Sequence, residues 1–82
     1  MSEQMTTPSP AVPPTLGQLR VRAFFNSSQD QRVNDIKQQS AQLIDWCKDM
    51  QEKDNPEKSR CAALAMTAYE EAAMWAVKAA TG

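Results

Sequence analysis

QRVNDIKQQSAQLIDWCKDM, residues 31–50, decides the fold. Val33, Ile36, Ser40, Leu43, Cys47 and Met50 recur at alternating spacings of three and four, and Ile44 widens the stripe. One face therefore stays apolar over several turns, the signature of an amphipathic α-helix. Upstream, Ser28 with Gln31 three residues on fits a capping box, and Asp30 suits the positive end of a helix. Helix one is predicted over about 29–53. Downstream, Gln-Glu-Lys-Asp-Asn-Pro breaks the pattern, because Pro56 disfavours helical geometry at Asn55 and removes a backbone donor. Asn55 as N-cap and Pro56 at the first helical position then start helix two, predicted over about 56–80.

Two such helices joined by a short tip form an antiparallel hairpin. A tip near Asp54 would set Cys47 opposite Cys61, Ile44 opposite Leu64, Lys37 opposite Glu71 and Val33 opposite Trp75. The cysteines then read as two small core residues rather than a disulfide, since a cytosolic thiol pair stays reduced. Trp46, Tyr69 and Trp75 read as packing residues. On helix two, Leu64, Ala68, Ala72, Trp75 and Ala79 share one side, while Met66, Tyr69, Ala73, Val77 and Ala80 lie roughly opposite. A helix apolar nearly all round needs cover on every side, which one partner helix does not supply. The fold class is thus all-α: an antiparallel two-helix hairpin assembled into a homo-oligomeric helical bundle.

The flanking sequence is different in kind. Residues 1–15 hold four of the five prolines and one charged side chain, Glu3, and read as a disordered Pro-rich arm ahead of a hairpin domain over residues 16–82. In LGQLRVRAFF, residues 16–25, apolar and basic side chains alternate at Leu19, Arg20, Val21, Arg22 and Ala23, which predicts a short extended segment.

Composition narrows the chemistry. Nine Lys and Arg against ten Asp and Glu give a formal net charge of −1, so the chain lacks the basic balance of a protein that coats long nucleic acid. No window is apolar enough to span a membrane and no secretory leader pattern is visible, so the expected location is cytoplasmic. Two cysteines and no histidine leave no zinc ligand set and no Cys-His pair. With only Gly17 and Gly82 there is no Gly-rich phosphate loop. Glu70 and Glu71 are adjacent and diverge by about 100° on a helix, which does not suit a paired-carboxylate site. The sequence predicts neither an enzyme nor a metal or cofactor site.

A binding role is better supported. Arg20, Arg22, Arg32 and Lys37 gather at the open end of the hairpin, beside a helix N-terminus, whereas Asp45, Asp49, Glu52, Asp54 and Glu57 crowd the tip. An anionic ligand belongs at the open end. Phe24 and Phe25 next to Arg20 and Arg22 combine a stacking surface with phosphate donors. Arg60, among acids near the tip, reads as an exposed partner of Glu57. Thr67, polar in an apolar helix, bonds its own i−4 carbonyl or faces a pore.

Two stretches carry a family resemblance: FNSSQDQRVNDIKQQSAQLID, residues 25–45, and RCAALAMTAYEEAAMWAVKAAT, residues 60–81. They resemble the small phage anti-CBASS proteins and the helical-hairpin domain these share with the Thoeris anti-defence sponges. The resemblance implies a homohexamer that catalyses nothing and sequesters cyclic di- and trinucleotide messengers in the infected host's cytoplasm, blocking CBASS effectors. Position by position, it implies Lys37 as a dinucleotide phosphate contact and Phe25 with Asn26 as the family's F-N turn. Arg22 is added as a ligand contact from its place beside Phe24 and Phe25, and the resemblance implies Arg60 and Thr67, presented by several subunits around an axis, as the trinucleotide contacts. The family also stacks an N-terminal aromatic on the dinucleotide base; residues 1–23 contain none, so here Phe24 or Phe25 would have to take that place. The alternative is an oligomeric helical adaptor that binds a host protein. A small nucleic-acid binder using Arg20, Arg22 and Arg32 is a third reading, and it predicts steep salt dependence on long single strands.

Overall fold

Within residues 13–82, which the computed structural model describes, all regular structure is helical. The helices are α1 (Leu16–Arg20), α2 (Gln31–Asp49) and α3 (Pro56–Thr81). α2 packs along α3 as the hairpin, and α1 packs on α2. The expected Pro-rich arm lies outside the described residues as far as Val12.

The extended segment expected at 16–25 is instead α1 and a tight turn. Thr15 and Gln18 form a capping box: the Gln18 N–H donates to the Thr15 hydroxyl at 3.1 Å, and the Thr15 N–H to the Gln18 side-chain oxygen at 2.9 Å. Those bonds satisfy donors that start a helix, whereas an alternating pattern with no second strand beside it has no ladder to join. Replacing Thr15 with alanine should lower stability by about 1 kcal/mol in a denaturant titration, with the cavity described below unchanged.

α1 reaches α2 through Gly17, which is buried and donates its N–H to Asp45 Oδ1 at 2.7 Å. A Cβ at Gly17 would run into the Ala41 carbonyl, so the approach of the two backbones requires glycine there. After α1, Arg22 adopts φ 55°. That left-handed step turns the chain, with Val21 and Ala23 buried on either side and Arg22 exposed between them.

The capping box expected at Ser28 gives way to a different cap. Gln29 sits at φ 57°, outside helical geometry, so α2 starts two residues later with Asp30 accepting from the Arg32 N–H at 2.8 Å. Asn26 organises the turn before it: its side-chain oxygen accepts from the Gln29 N–H at 3.0 Å and from the Ser28 hydroxyl at 2.6 Å. At the far end α2 stops at Asp49, short of the expected 53. There Ser59 takes over the loop backbone, its hydroxyl accepting from the Glu52 N–H at 2.8 Å and donating to the Glu52 carbonyl at 2.7 Å. Asn55 and Pro56 begin α3, with the Asn55 oxygen accepting from the Lys58 N–H at 3.1 Å.

Ile44 and Val33 are the most deeply buried large side chains; Ala41 and Cys47 extend that face of α2, and Ala62, Met66 and Ala73 of α3 are buried with them. The rotation of α3 differs from the expected pairing. Leu64 and Trp75 stay 58% and 55% exposed, and Cys61 is exposed while Cys47 is buried. Both thiols are free. Small alanines at 62 and 73 let α3 settle closely on α2, and the flexible Met66 fills the space between. Leu64, Met74 and Trp75 of α3 are thereby turned outward, and Trp46 of α2 is likewise 57% exposed. No helix among the described residues is long and apolar enough to cross a membrane.

A cavity at the open end of the hairpin

The α1 turn, α2 and α3 enclose a half-open cavity of about 600 Å³. Arg20, Arg22 and Phe25 enter it from the first segment, Lys37 from α2, and Thr67 and Glu71 from α3. Ala73 and Met74 give it an apolar wall. A smaller cavity of about 200 Å³ adjoins it, with Phe25, Lys37 and Val77 common to both and Asn26 and Ser28 lining the smaller one.

Lys37 is the central polar group. It is only 8% exposed, and its ammonium donates to the backbone carbonyls of Arg22, at 3.1 Å, and of Phe25. The expected Lys37–Glu71 pair is thus replaced by bonds to the turn. Glu71 instead accepts a long contact of 3.4 Å from the Trp75 indole N–H. Burial first, and then the charge of Arg22, hold the Lys37 ammonium below its ordinary lysine value. The Arg22 guanidinium and the Lys37 ammonium lie 5.6 and 5.4 Å from the centre of the Phe25 ring, within cation–π range. Two cations whose repulsion is felt at Lys37 favour an anion between them, and the ring supplies a flat surface beside it.

Of the residues singled out from sequence, Arg22, Phe25, Lys37 and Thr67 meet in the larger cavity, and Asn26 lines the adjoining one. Thr67 also bonds back to the Ala63 carbonyl at 3.3 Å. Arg60 lines neither cavity; it is exposed and pairs with Glu57 at 2.7 Å. That bond raises the Arg60 value and holds the Glu57 carboxyl below the usual range. Arg20, expected with Arg22 as a phosphate donor beside Phe24 and Phe25, also lines the larger cavity, together with Glu70 and Met74, which were not among the expected contacts. Reading residues 16–25 as an extended segment misses the helix that places Arg20, and the Thr15–Gln18 capping box is the signal for that helix.

Among the described residues, no group of three His, Cys, Asp or Glu side chains is placed to hold a metal ion. Paired cations around an aromatic ring in a partly apolar cavity suit a ligand that is both anionic and flat-ringed. Compared with known protein families, residues 17–81 match Acb2/Tad1, hairpin domain, and the chain belongs to that family of anti-CBASS and anti-Thoeris cyclic-nucleotide sponges. The match runs from Gly17 in α1 to Thr81 at the end of α3. Comparisons with curated proteins and with solved structures found no match.

Proposed function

We propose that the protein binds cyclic di- and trinucleotide messengers without cleaving them and so keeps them from CBASS effectors in the cytoplasm of the infected host. The observation that carries this reading is the cluster of Arg22, Lys37 and Phe25 in one cavity. Each phosphodiester brings a negative charge for the cations, and each base brings a face for the ring. Asn26 holds the turn that presents Phe25. The working form is a homo-oligomer, a hexamer by family inheritance. The outward Leu64, Met74 and Trp75 of α3 support an assembly that covers them. Arg60 and Thr67, repeated around a symmetry axis, form the trinucleotide site in that assembly.

A sponge competes with effectors that respond to scarce messenger, so its dissociation constant is nanomolar or tighter, about −12 kcal/mol. Titration calorimetry with cyclic di- and trinucleotides tests this, and micromolar binding would be too weak for sequestration. The same outward face of α3 favours the adaptor reading, in which a host protein covers it. An adaptor gives no heat with any cyclic nucleotide and keeps its partner when Lys37 is replaced.

The lowered Lys37 value sets a pH dependence. Between that value and the ordinary one the unfolded chain holds more protons than the folded chain, so the Lys37 contribution to stability rises with pH through this window. A bound phosphate favours the charged lysine instead. Affinity therefore falls as pH rises through the lowered value, and Lys37→Arg should hold its affinity to higher pH than wild type. Calorimetry in two buffers of different ionisation enthalpy should register proton uptake on binding within that window.

A further inference from the structure

Arg20 is the last residue of α1, and the docking of Gly17 on α2 fixes where its side chain starts. Its guanidinium is poorly matched in the free chain. Nε lies 3.6 Å from Glu70 Oε1, beyond ordinary hydrogen-bond length. Nη1 is buried in the wall with no hydrogen-bond partner. The side chain as a whole is 34% exposed and lines the cavity together with Arg22. A guanidinium carries five N–H donors in a planar fork, and a buried charged donor left unmatched is costly. Glu70, the acid that faces it, lines the same cavity.

We propose that Arg20 is a phosphate-binding residue of this cavity and that Glu70 is an internal competing anion, holding the guanidinium loosely until a ligand phosphate displaces it. The assignment rests on the cyclic-nucleotide reading and adds a residue that the comparisons do not indicate. A phosphate offers two oxygens to the fork at once, which the Glu70 contact at 3.6 Å does not. Exchange gives the fork a two-oxygen partner in place of the single long contact to Glu70. Glu70 keeps the empty cavity from accumulating a strong uncompensated charge, and it weakens every anionic ligand to a similar degree.

The test is calorimetry on the full chain with cyclic GMP–AMP, comparing wild type with Arg20→Gln, Arg20→Lys and Glu70→Gln. Thermal melting and native mass confirm that each variant is folded and assembled. Arg20→Gln should weaken binding by about 10- to 100-fold. Arg20→Lys, which keeps the charge but loses the fork, should fall between it and wild type. Glu70→Gln should tighten binding by about 2- to 5-fold. Arg20→Gln binding as tightly as wild type would overturn the assignment, as would weaker binding by Glu70→Gln. Should Arg20→Gln fail to fold, the direction of the Glu70→Gln change decides. Where cyclic GMP–AMP gives no heat, the same variants are titrated with the cyclic di- or trinucleotide that does bind; a wild-type chain that gives no heat with any of them sinks the messenger reading itself, whereas binding that ignores Arg20 sinks only this assignment.

Discussion

Replacing Gly17 with alanine should release α1 from α2 and lower stability by about 3 kcal/mol or more. The new methyl would meet the Ala41 carbonyl head-on and sit 2.8 Å from Asp45 Oδ1. Backbone atoms of a packed helix give little, so the clash is relieved by moving α1. Undocking also breaks the 2.7 Å bond from the Gly17 N–H to Asp45 and uncovers Val21 and Ala23, which are buried against the hairpin. The consequence reaches the cavity, because Arg20, Arg22 and Phe25 all follow Gly17 and line it. Chemical denaturation should show the lower stability, and calorimetry should show ligand affinity falling at temperatures where the hairpin is still folded. Wild-type stability for Gly17→Ala would mean that α1 does not pack on α2 through this glycine.

Lys37→Met should remove most messenger binding and also weaken the fold. Its ammonium bonds the carbonyls of Arg22 and Phe25, and methionine leaves both without that donor, at about 1 to 3 kcal/mol. Loss of the buried charge removes the cation that Arg22 alone does not replace, for about a 10- to 100-fold drop in affinity. The two effects separate by measurement: melting reports the turn, and titration well below the melting temperature reports the ligand. Lys37→Arg restores charge but not the fit between the two carbonyls, so it should recover binding more fully than stability. A Lys37→Met protein that binds as well as wild type would leave Lys37 with only its role in the turn.

The hairpin was legible in the sequence because its signals are local. The three-and-four spacing of Val33 to Cys47 and the Asn55-Pro56 start need no knowledge of the neighbours. The rotation of α3 was not legible, because a helix apolar on every side gives no preferred face. What decides it is the size of residues in contact, alanines at 62 and 73 packing closely and Met66 adapting, with Leu64 and Trp75 left outside. The same ambiguity underlies the expected Lys37–Glu71 pair. A lysine reaching backbone carbonyls far from it in sequence leaves no trace in side-chain spacing, and the left-handed turn at Arg22 that presents them is equally silent. The cluster of Arg22, Phe25 and Lys37 was nonetheless foreseen, since charge segregation and the adjacent aromatics are visible in order along the chain. Arg20 is legible as a phosphate donor beside Arg22, but the helix α1 that carries it into the cavity is not.

The most direct test of messenger sequestration is to incubate the purified protein with a mixed panel of cyclic di- and trinucleotides, record native mass spectra, and release bound ligand by heat. The predicted result is an oligomer carrying cyclic nucleotides at fixed stoichiometry, released with their rings intact. An oligomer that stays empty across the panel, or one that returns linear products, would contradict it.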